Sequence, residues 1–325
     1  VKELLRINDL SVRYWSEDGP VHALNHVSLS LKEGVSLGLV GETGAGKTTL
    51  AKGIMRFIPE NQGEVTGEVI YDGENLSDCS DKRMREIRGR YISMIFQDPM
   101  TSLNPVMTVG DQIAEVIATH NRVTRAEALD KAREMLEMVG IPGDRENEYP
   151  HQFSGGMKQR VVIAIALACR PQILIADEPT TALDVTIQAQ VLELIENLRR
   201  ELHTSVLLIT HDLGVVAQNC EEVAIIYAGE IIEKGDVYDV FAKHLHPYTT
   251  GLLTAIPSLN VDVKRLNIIE GNIPNPTRLP EGCYFHPRCK HCMDRCRTEK
   301  PPVVKVSEEH EVRCWLYQNG GKYDG

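Results

Sequence analysis

Hydrophobic and polar positions fall into blocks whose period changes along the chain. VSLGLV at 35–40 is apolar enough for a buried strand. GETGAGKTT at 41–49 interrupts it, and LAKGIMRF continues with the spacing of a helix. From residue 105 to 150 the pattern changes. VGDQIAEVIATH and RAEALDKAREMLEMVG place apolar residues at helical spacing with charges between them, predicting a helical insertion over about residues 100–155. A long apolar helix follows (VVIAIALAC), then a strand (ILIA, 173–176), a helix (TIQAQVLELIENLRREL) and another strand (SVLLIT, 205–210). Strands alternating with helices predict an α/β fold with a largely parallel sheet. GNIPNPTRLP at 271–280 holds three prolines and reads as a linker or irregular loop. A small cysteine-bearing segment lies beyond it. No internal repeat or low-complexity tract interrupts this order.

Composition sharpens the picture. The 325 residues are 42% hydrophobic and 25% charged, as in a globular chain large enough for more than one domain. No apolar run of 18 residues predicts a membrane span. The opening VKELLRINDL lacks the apolar core of a signal peptide. A cytosolic location is therefore expected, with membrane association through a partner. The formal net charge of −11 is unfavourable for a sheath of phosphate contacts, so no nucleic acid is expected as partner. Five of the eight cysteines fall after residue 282. In a reducing cytosol, clustered cysteines are expected as ligands rather than disulfides.

Gly41-Glu42-Thr43-Gly44-Ala45-Gly46-Lys47-Thr48, followed by Thr49, fits the phosphate-loop pattern G-x-x-x-x-G-K-[ST]. Its glycines let backbone N–H groups turn inward around phosphates, and the following helix start adds partial positive charge. Lys47 is expected on the β- and γ-phosphates and the Thr48 hydroxyl on Mg²⁺. ILIADEPT is a second signal. An apolar strand ends in Asp177 and Glu178, whose side chains diverge. Asp177 is expected in the Mg²⁺ shell and Glu178 beside an attacking water, where general-base help contributes roughly 100- to 10,000-fold. A strand-end Asp-Glu alone is often only an exposed turn; 130 residues after the loop lysine it is a functional pair.

Four further pieces carry a resemblance. FSGGMKQR (153–160) resembles the signature motif of ATP-binding cassette (ABC) ATPases. IFQDP puts Gln97 at that family's Q-loop, TALD puts Asp184 at its D-loop, and THD puts His211 at its switch histidine. The resemblance covers residues 1 to about 260. It implies a P-loop nucleotide-binding domain with a helical subdomain, working as a head-to-tail dimer around two ATP molecules. Phe153, Ser154, Gly155, Gly156 and Met157 would then face the partner subunit's nucleotide. The family's usual LSGGQ is altered here at Phe153 and Met157. Gln97 would touch Mg²⁺ or water and sense the membrane partner; His211 would contact the γ-phosphate. Tyr14 is expected on adenine, with Trp15 as the alternative.

IFQDPMTSLNPVMTVGDQIAE, DEPTTALDVTIQAQ and HPYTTGLLTAIPSL look like ATPase subunits of bacterial dipeptide/oligopeptide importers; close relatives import nickel and oligosaccharides. The resemblance implies a second ATPase subunit, two transmembrane permease subunits and an extracytoplasmic binding protein, with this chain on the cytoplasmic face of the membrane. A soluble cassette ATPase acting on DNA or ribosomes is the rival class. It commonly carries two cassettes or a long coiled coil, and neither is present. The same importers often carry a C-x5-C-x6-C-x17-C tail. Here that selects Cys283, Cys289, Cys296 and Cys314 in residues 261–325, with Cys292 as an extra or alternative ligand. Irregular spacing with four thiols leans toward a [4Fe–4S] cluster. Zinc stays open because His286, His291 and His310 lie close in sequence. Cys79, Cys169 and Cys220 read as packing residues. The proline-rich stretch predicts few core contacts between the tail and the body.

Overall fold

The computed structural model describes residues 2–181, 183–255 and 269–318, apart from the side chains of Pro99 and Met100. The chain folds as two compact units, each drawn from separate stretches of sequence.

The first unit takes Asp72–Ile209, Leu31–Ser36 and the start of the chain. Its strands Ile92–Ile95, Ile173–Asp177 and Ser205–Thr210 run parallel, with Ile92 opposite Ile173 and Ile173 opposite Ser205. Every residue of all three is buried, as expected for parallel strands covered on both faces. The predicted helical insertion is Val109–His120 and Arg125–Met138. Each starts on a threonine. Thr108 Oγ1 accepts from the Asp111 N–H at 3.1 Å. Thr124 and Glu127 form a reciprocal capping box, Thr124 N–H to Glu127 Oε2 at 2.7 Å and Glu127 N–H to Thr124 Oγ1 at 3.3 Å. Both helices pack on helix Gly155–Leu167, which also covers strand Ile92–Ile95.

The second unit takes Leu5–Ser30, Leu37–Tyr71 and Thr210 onward. One sheet orders Val21–Lys32, Glu3–Tyr14 and Gly63–Tyr71 side by side. A second runs Val303–Lys305, Glu311–Arg313, Glu230–Asp236, Glu222–Tyr227 and Ser36–Val40. Ser36–Val40 pairs parallel with Glu222–Tyr227, while the pairs outward from there are antiparallel.

The cysteine-bearing tail is not the loosely attached segment its proline-rich leader suggests. Residues 271–280 are irregular, as expected, but the His22 N–H donates to Pro276 O at 2.9 Å. Beyond them Phe285 is buried against Tyr227 and Tyr248, ring centroids 5.2 and 5.5 Å away. Strand Glu311–Arg313 extends the sheet beside Glu230–Asp236. His310 Nε2 lies 2.8 Å from the carboxylate of buried Glu233. The physical reason is size: about 45 residues cannot bury enough apolar surface alone, so the tail shares the core of its unit. The expected boundary near residue 260 falls within 256–268, outside the described residues.

Candidate nucleotide site

Strand Ser36–Val40 delivers the chain into the glycine-rich loop, and helix Lys47–Ile54 carries it away. Gly46 caps that helix at φ 105°, a left-handed conformation unfavourable for other residues. A Cβ on Gly41 would lie 2.3 Å from Ile226 O, so only glycine fits against that backbone. The helix's first turn holds no acidic residue. The loop tip, Thr43 and Gly44, is exposed; Thr48 and Thr49 are half-buried in the first turn. Lys47 is buried, and its Nζ donates to Gly41 O at 2.7 Å and Glu42 O at 3.1 Å. The amine thus lies folded across the loop. Ala45 is buried and its carbonyl accepts from the Gly229 N–H at 2.9 Å.

Two residues that the sequence reading did not place in this site grip the loop from outside. The Glu42 N–H donates to the Tyr248 hydroxyl at 3.0 Å, and Arg288 forms an ion pair with the Glu42 carboxylate. Tyr248 belongs to HPYT, which by itself reads only as a helix cap. The cap exists: His246 Nδ1 accepts from the Tyr248 N–H at 3.0 Å. His246 is fully enclosed, and burial pushes its pKa down to about 4, so the ring is neutral. No local signal marks Arg288, whose partner is 246 residues away.

In the first unit, Asp177 ends its strand almost fully buried, and Glu178 follows at φ 47°. A left-handed glutamate costs conformational energy and turns the carboxylate off the strand direction. Glu178 N–H donates to Ile209 O at 2.9 Å. Its Oε2 accepts from Gln97 Nε2 and from Thr181 Oγ1, both at 3.0 Å. The Q-loop glutamine and the strand-end glutamate therefore meet. Ser154 caps helix Gly155–Leu167, its Oγ accepting from the Met157 N–H at 3.4 Å. Ser154 and Gly155 are exposed. A Cβ on Gly156 would come 2.7 Å from Ile187 Cγ2, so that glycine lets two helices approach closely. Phe153 is buried under the Arg145 guanidinium at 4.4 Å, and Arg145 donates to Met157 Sδ at 3.6 Å. Both departures from the usual signature are thus built into local packing. Asp184 caps helix Val185–Leu202, accepting from the Ile187 N–H at 3.0 Å; its D-loop neighbour Ala182 lies outside the described residues. In the second unit His211 is exposed, and Asp212 beside it caps helix Leu213–Asn219. Tyr14 is half-buried at the end of its strand, whereas Trp15 is 53% exposed.

Cys283, Cys289, Cys296 and Cys314 all line one cavity, with His291 and Met293 among its other walls; Cys292 does not line it. Burial first, with the neighbouring thiols' charges adding to it, pushes the Cys283 and Cys314 thiols up to about 12 and Cys289 up to about 11. His310 is turned away to Glu233. Among the described residues, no three His, Cys, Asp or Glu side chains are arranged to hold a metal ion. Cys220 packs against the core, and Cys169 Sγ contacts Val116 O at 3.6 Å.

Two family models match the chain: ABC transporter over residues 24–181, and the oligopeptide/dipeptide transporter C-terminal region over residues 232–296. The oligopeptide transport ATP-binding protein AppD of Bacillus subtilis is 46% identical over 321 residues, covering 98% of each chain. The chain belongs to the ABC transporter family of ATP-binding proteins. The dipeptide transport ATP-binding protein DppD of the same organism is 47% identical, covering 97% of this chain and 95% of its own. The oligopeptide transport ATP-binding protein OppD of Escherichia coli is 47% identical, covering 96% and 93%. A dimeric ATP-binding cassette, MJ0796, in a post-hydrolysis state bound to ADP and Pi, superposes with a TM-score of 0.64 at 28% identity, covering 72% of this chain and 99% of that one. Membership makes this an ATP-binding, ATP-hydrolysing chain. No helix among the described residues is long and apolar enough to cross a membrane.

Proposed function

We propose that the chain is the ATPase subunit of a peptide importer. It would pair with a second ATPase subunit beneath two permease subunits on the cytoplasmic face of the membrane. The observation that carries the coupling to peptides is end-to-end similarity to dipeptide and oligopeptide transport ATP-binding proteins, including a C-terminal region matched by their own family model. In this reading the loop N–H groups of residues 41–49 and Lys47 bind the phosphates. Thr48, Gln97 and Asp177 would hold Mg²⁺, which when bound would supply charge neutralisation. Glu178 accepts the proton of the attacking water as the bond between the γ-phosphorus and its bridging oxygen breaks. His211 contacts the γ-phosphate, and Tyr14 stacks on adenine. Phe153 to Met157 and Asp184 face the partner's nucleotide; exposure of Ser154 and Gly155 at a helix start supports that role. The test is uptake by proteoliposomes holding the whole transporter. Peptide-stimulated ATP hydrolysis with uptake of labelled dipeptide or oligopeptide is expected. Stimulation by nickel or an oligosaccharide instead would reassign the substrate.

We also propose that Cys283, Cys289, Cys296 and Cys314 hold a [4Fe–4S] cluster, with zinc as the alternative. Their shared cavity, which excludes Cys292, supports this ligand set. Four thiols at irregular sequence spacing, without paired C-x2-C knuckles among them, lean toward the cluster rather than zinc. When bound, such a group would cross-link the tail. Iron, sulfide and zinc quantification on anaerobically purified protein decides between the two metals.

A further inference from the structure

Arg288 belongs to the cysteine-bearing tail yet spends its charge on the phosphate loop. It ends the short 3₁₀ turn His286–Arg288, directly before Cys289, and its side chain is 4% exposed. Nη1 donates to Glu42 Oε2 at 2.8 Å and Nη2 to Glu42 Oε1 at 3.1 Å, a two-pronged charge-assisted contact. The remaining hydrogens are also taken. Nε donates to Glu270 O and Nη2 to Ile269 O, both at 3.2 Å, and Nη1 reaches the Tyr227 hydroxyl at 3.4 Å. A guanidinium fixed on every side cannot swing toward a ligand; it can only hold its partner.

That partner sits where charge matters most. Glu42 is the second residue of the loop, and its carbonyl accepts from Lys47 Nζ at 3.1 Å. A bare carboxylate in a loop that must receive a polyphosphate repels it, and charges at a protein surface feel each other more strongly than in bulk water. Arg288 offsets that charge and fixes the carboxylate between two donors, while the Tyr248 hydroxyl accepts from the same residue's N–H at 3.0 Å.

We propose that Arg288 is a positioning residue for the nucleotide: by neutralising and clamping Glu42, it lets the cysteine-bearing tail set the affinity of the phosphate loop. The proposal rests on the reading of residues 41–49 as that loop. It separates electrostatics from packing, because removing the Glu42 charge relieves the need for Arg288.

The test is binding of a fluorescent ATP analogue with Mg²⁺ to the full chain. Arg288→Ala is expected to weaken affinity about tenfold, the loss of roughly one strong charge-assisted contact. Arg288→Lys falls between, keeping charge without the fork. In a Glu42→Gln background the Arg288→Ala change is expected to cost less than about threefold in affinity, and the double variant to bind more tightly than Arg288→Ala alone. A double variant no tighter than Arg288→Ala would reduce Arg288 to a packing role and overturn the proposal. Glu42→Gln binding more than about tenfold weaker would overturn it too. Should Arg288→Ala fail to fold, Glu42→Gln and Arg288→Lys decide by the same criteria. Wild-type protein that binds no nucleotide would defeat the phosphate-loop reading itself; wild-type binding matched by Arg288→Ala would defeat the Arg288 assignment alone.

Discussion

The amide of Gln97 donates a 3.0 Å hydrogen bond to the carboxylate of Glu178, across 81 residues of sequence. The Thr181 hydroxyl donates to the same oxygen. Two donors fix the direction of the carboxylate, and a left-handed backbone at Glu178 turns it off its strand. Orientation of this kind is what a general base needs before any proton moves.

Glu178→Gln tests that role. The amide keeps the shape, and its oxygen can still accept from Gln97 and Thr181, but it cannot take the water's proton. Nucleotide affinity is expected to stay within about threefold of wild type, while phosphate release falls roughly 100-fold or more. Phosphate release by the assembled transporter near the wild-type rate would remove Glu178 from the chemistry of this site.

Lys47→Ala probes the other half. Lys47 is the buried cation folded across Gly41 and Glu42. Its loss is expected to weaken ATP binding about 100-fold or more, because a buried charge-assisted phosphate contact has no replacement. Titration with a fluorescent nucleotide reads this directly; unchanged affinity would mean the loop does not hold phosphate.

Much of this was legible in sequence because local physics wrote it there. The largely apolar runs SLGLV, ILIA and SVLLIT are strands, as expected of parallel strands buried on both faces. GETGAGKTT is legible because its glycines answer to steric demands at Gly41 and Gly46. The tail's attachment was not legible. Phe285, Arg288 and His310 meet partners at Tyr227, Glu42 and Glu233, far away in sequence. No periodicity encodes a pairing of that range, and a run of prolines marks an irregular backbone without saying what lies beyond it. Tyr248 was hidden for the same reason: the HPYT cap is local, but its hydroxyl serves Glu42.

The thiol set makes a ligand-by-ligand prediction. Replacing Cys283, Cys289, Cys296 or Cys314 by Ser is expected to lower iron content in each case, because a serine hydroxyl gives up its proton far less readily than a thiol. Cys292→Ser is expected to keep it, since Cys292 lies outside the shared cavity. Brown absorbance and iron content of the five variants check this. A colourless Cys292 variant beside a normally coloured Cys314 variant would overturn the ligand choice.

His246 makes a prediction about pH. The ring is enclosed, and burial lowers its pKa from 6.5 to about 4 against the opposing pull of Glu233. Its Nδ1 must stay unprotonated to accept the Tyr248 N–H. The unfolded chain takes up a proton near pH 6.5 while the folded chain resists until about pH 4, so the unfolded state binds more protons across that window. Stability is therefore lost as pH falls from about 6.5 to 4, by an order of about 3 kcal/mol for this one group. His120, whose pKa burial also lowers, adds a slope of the same sign, so the comparison of variant with wild type isolates the effect of His246. Asparagine at this position keeps a cap acceptor and has nothing to titrate. His246→Asn is expected to be less stable at pH 7.5, through lost packing against Phe285 at 5.5 Å, but to show a shallower fall between pH 6.5 and 4. Denaturant midpoints at a series of pH values measure both slopes. Equal slopes would show that His246 is not the group whose protonation opens this core.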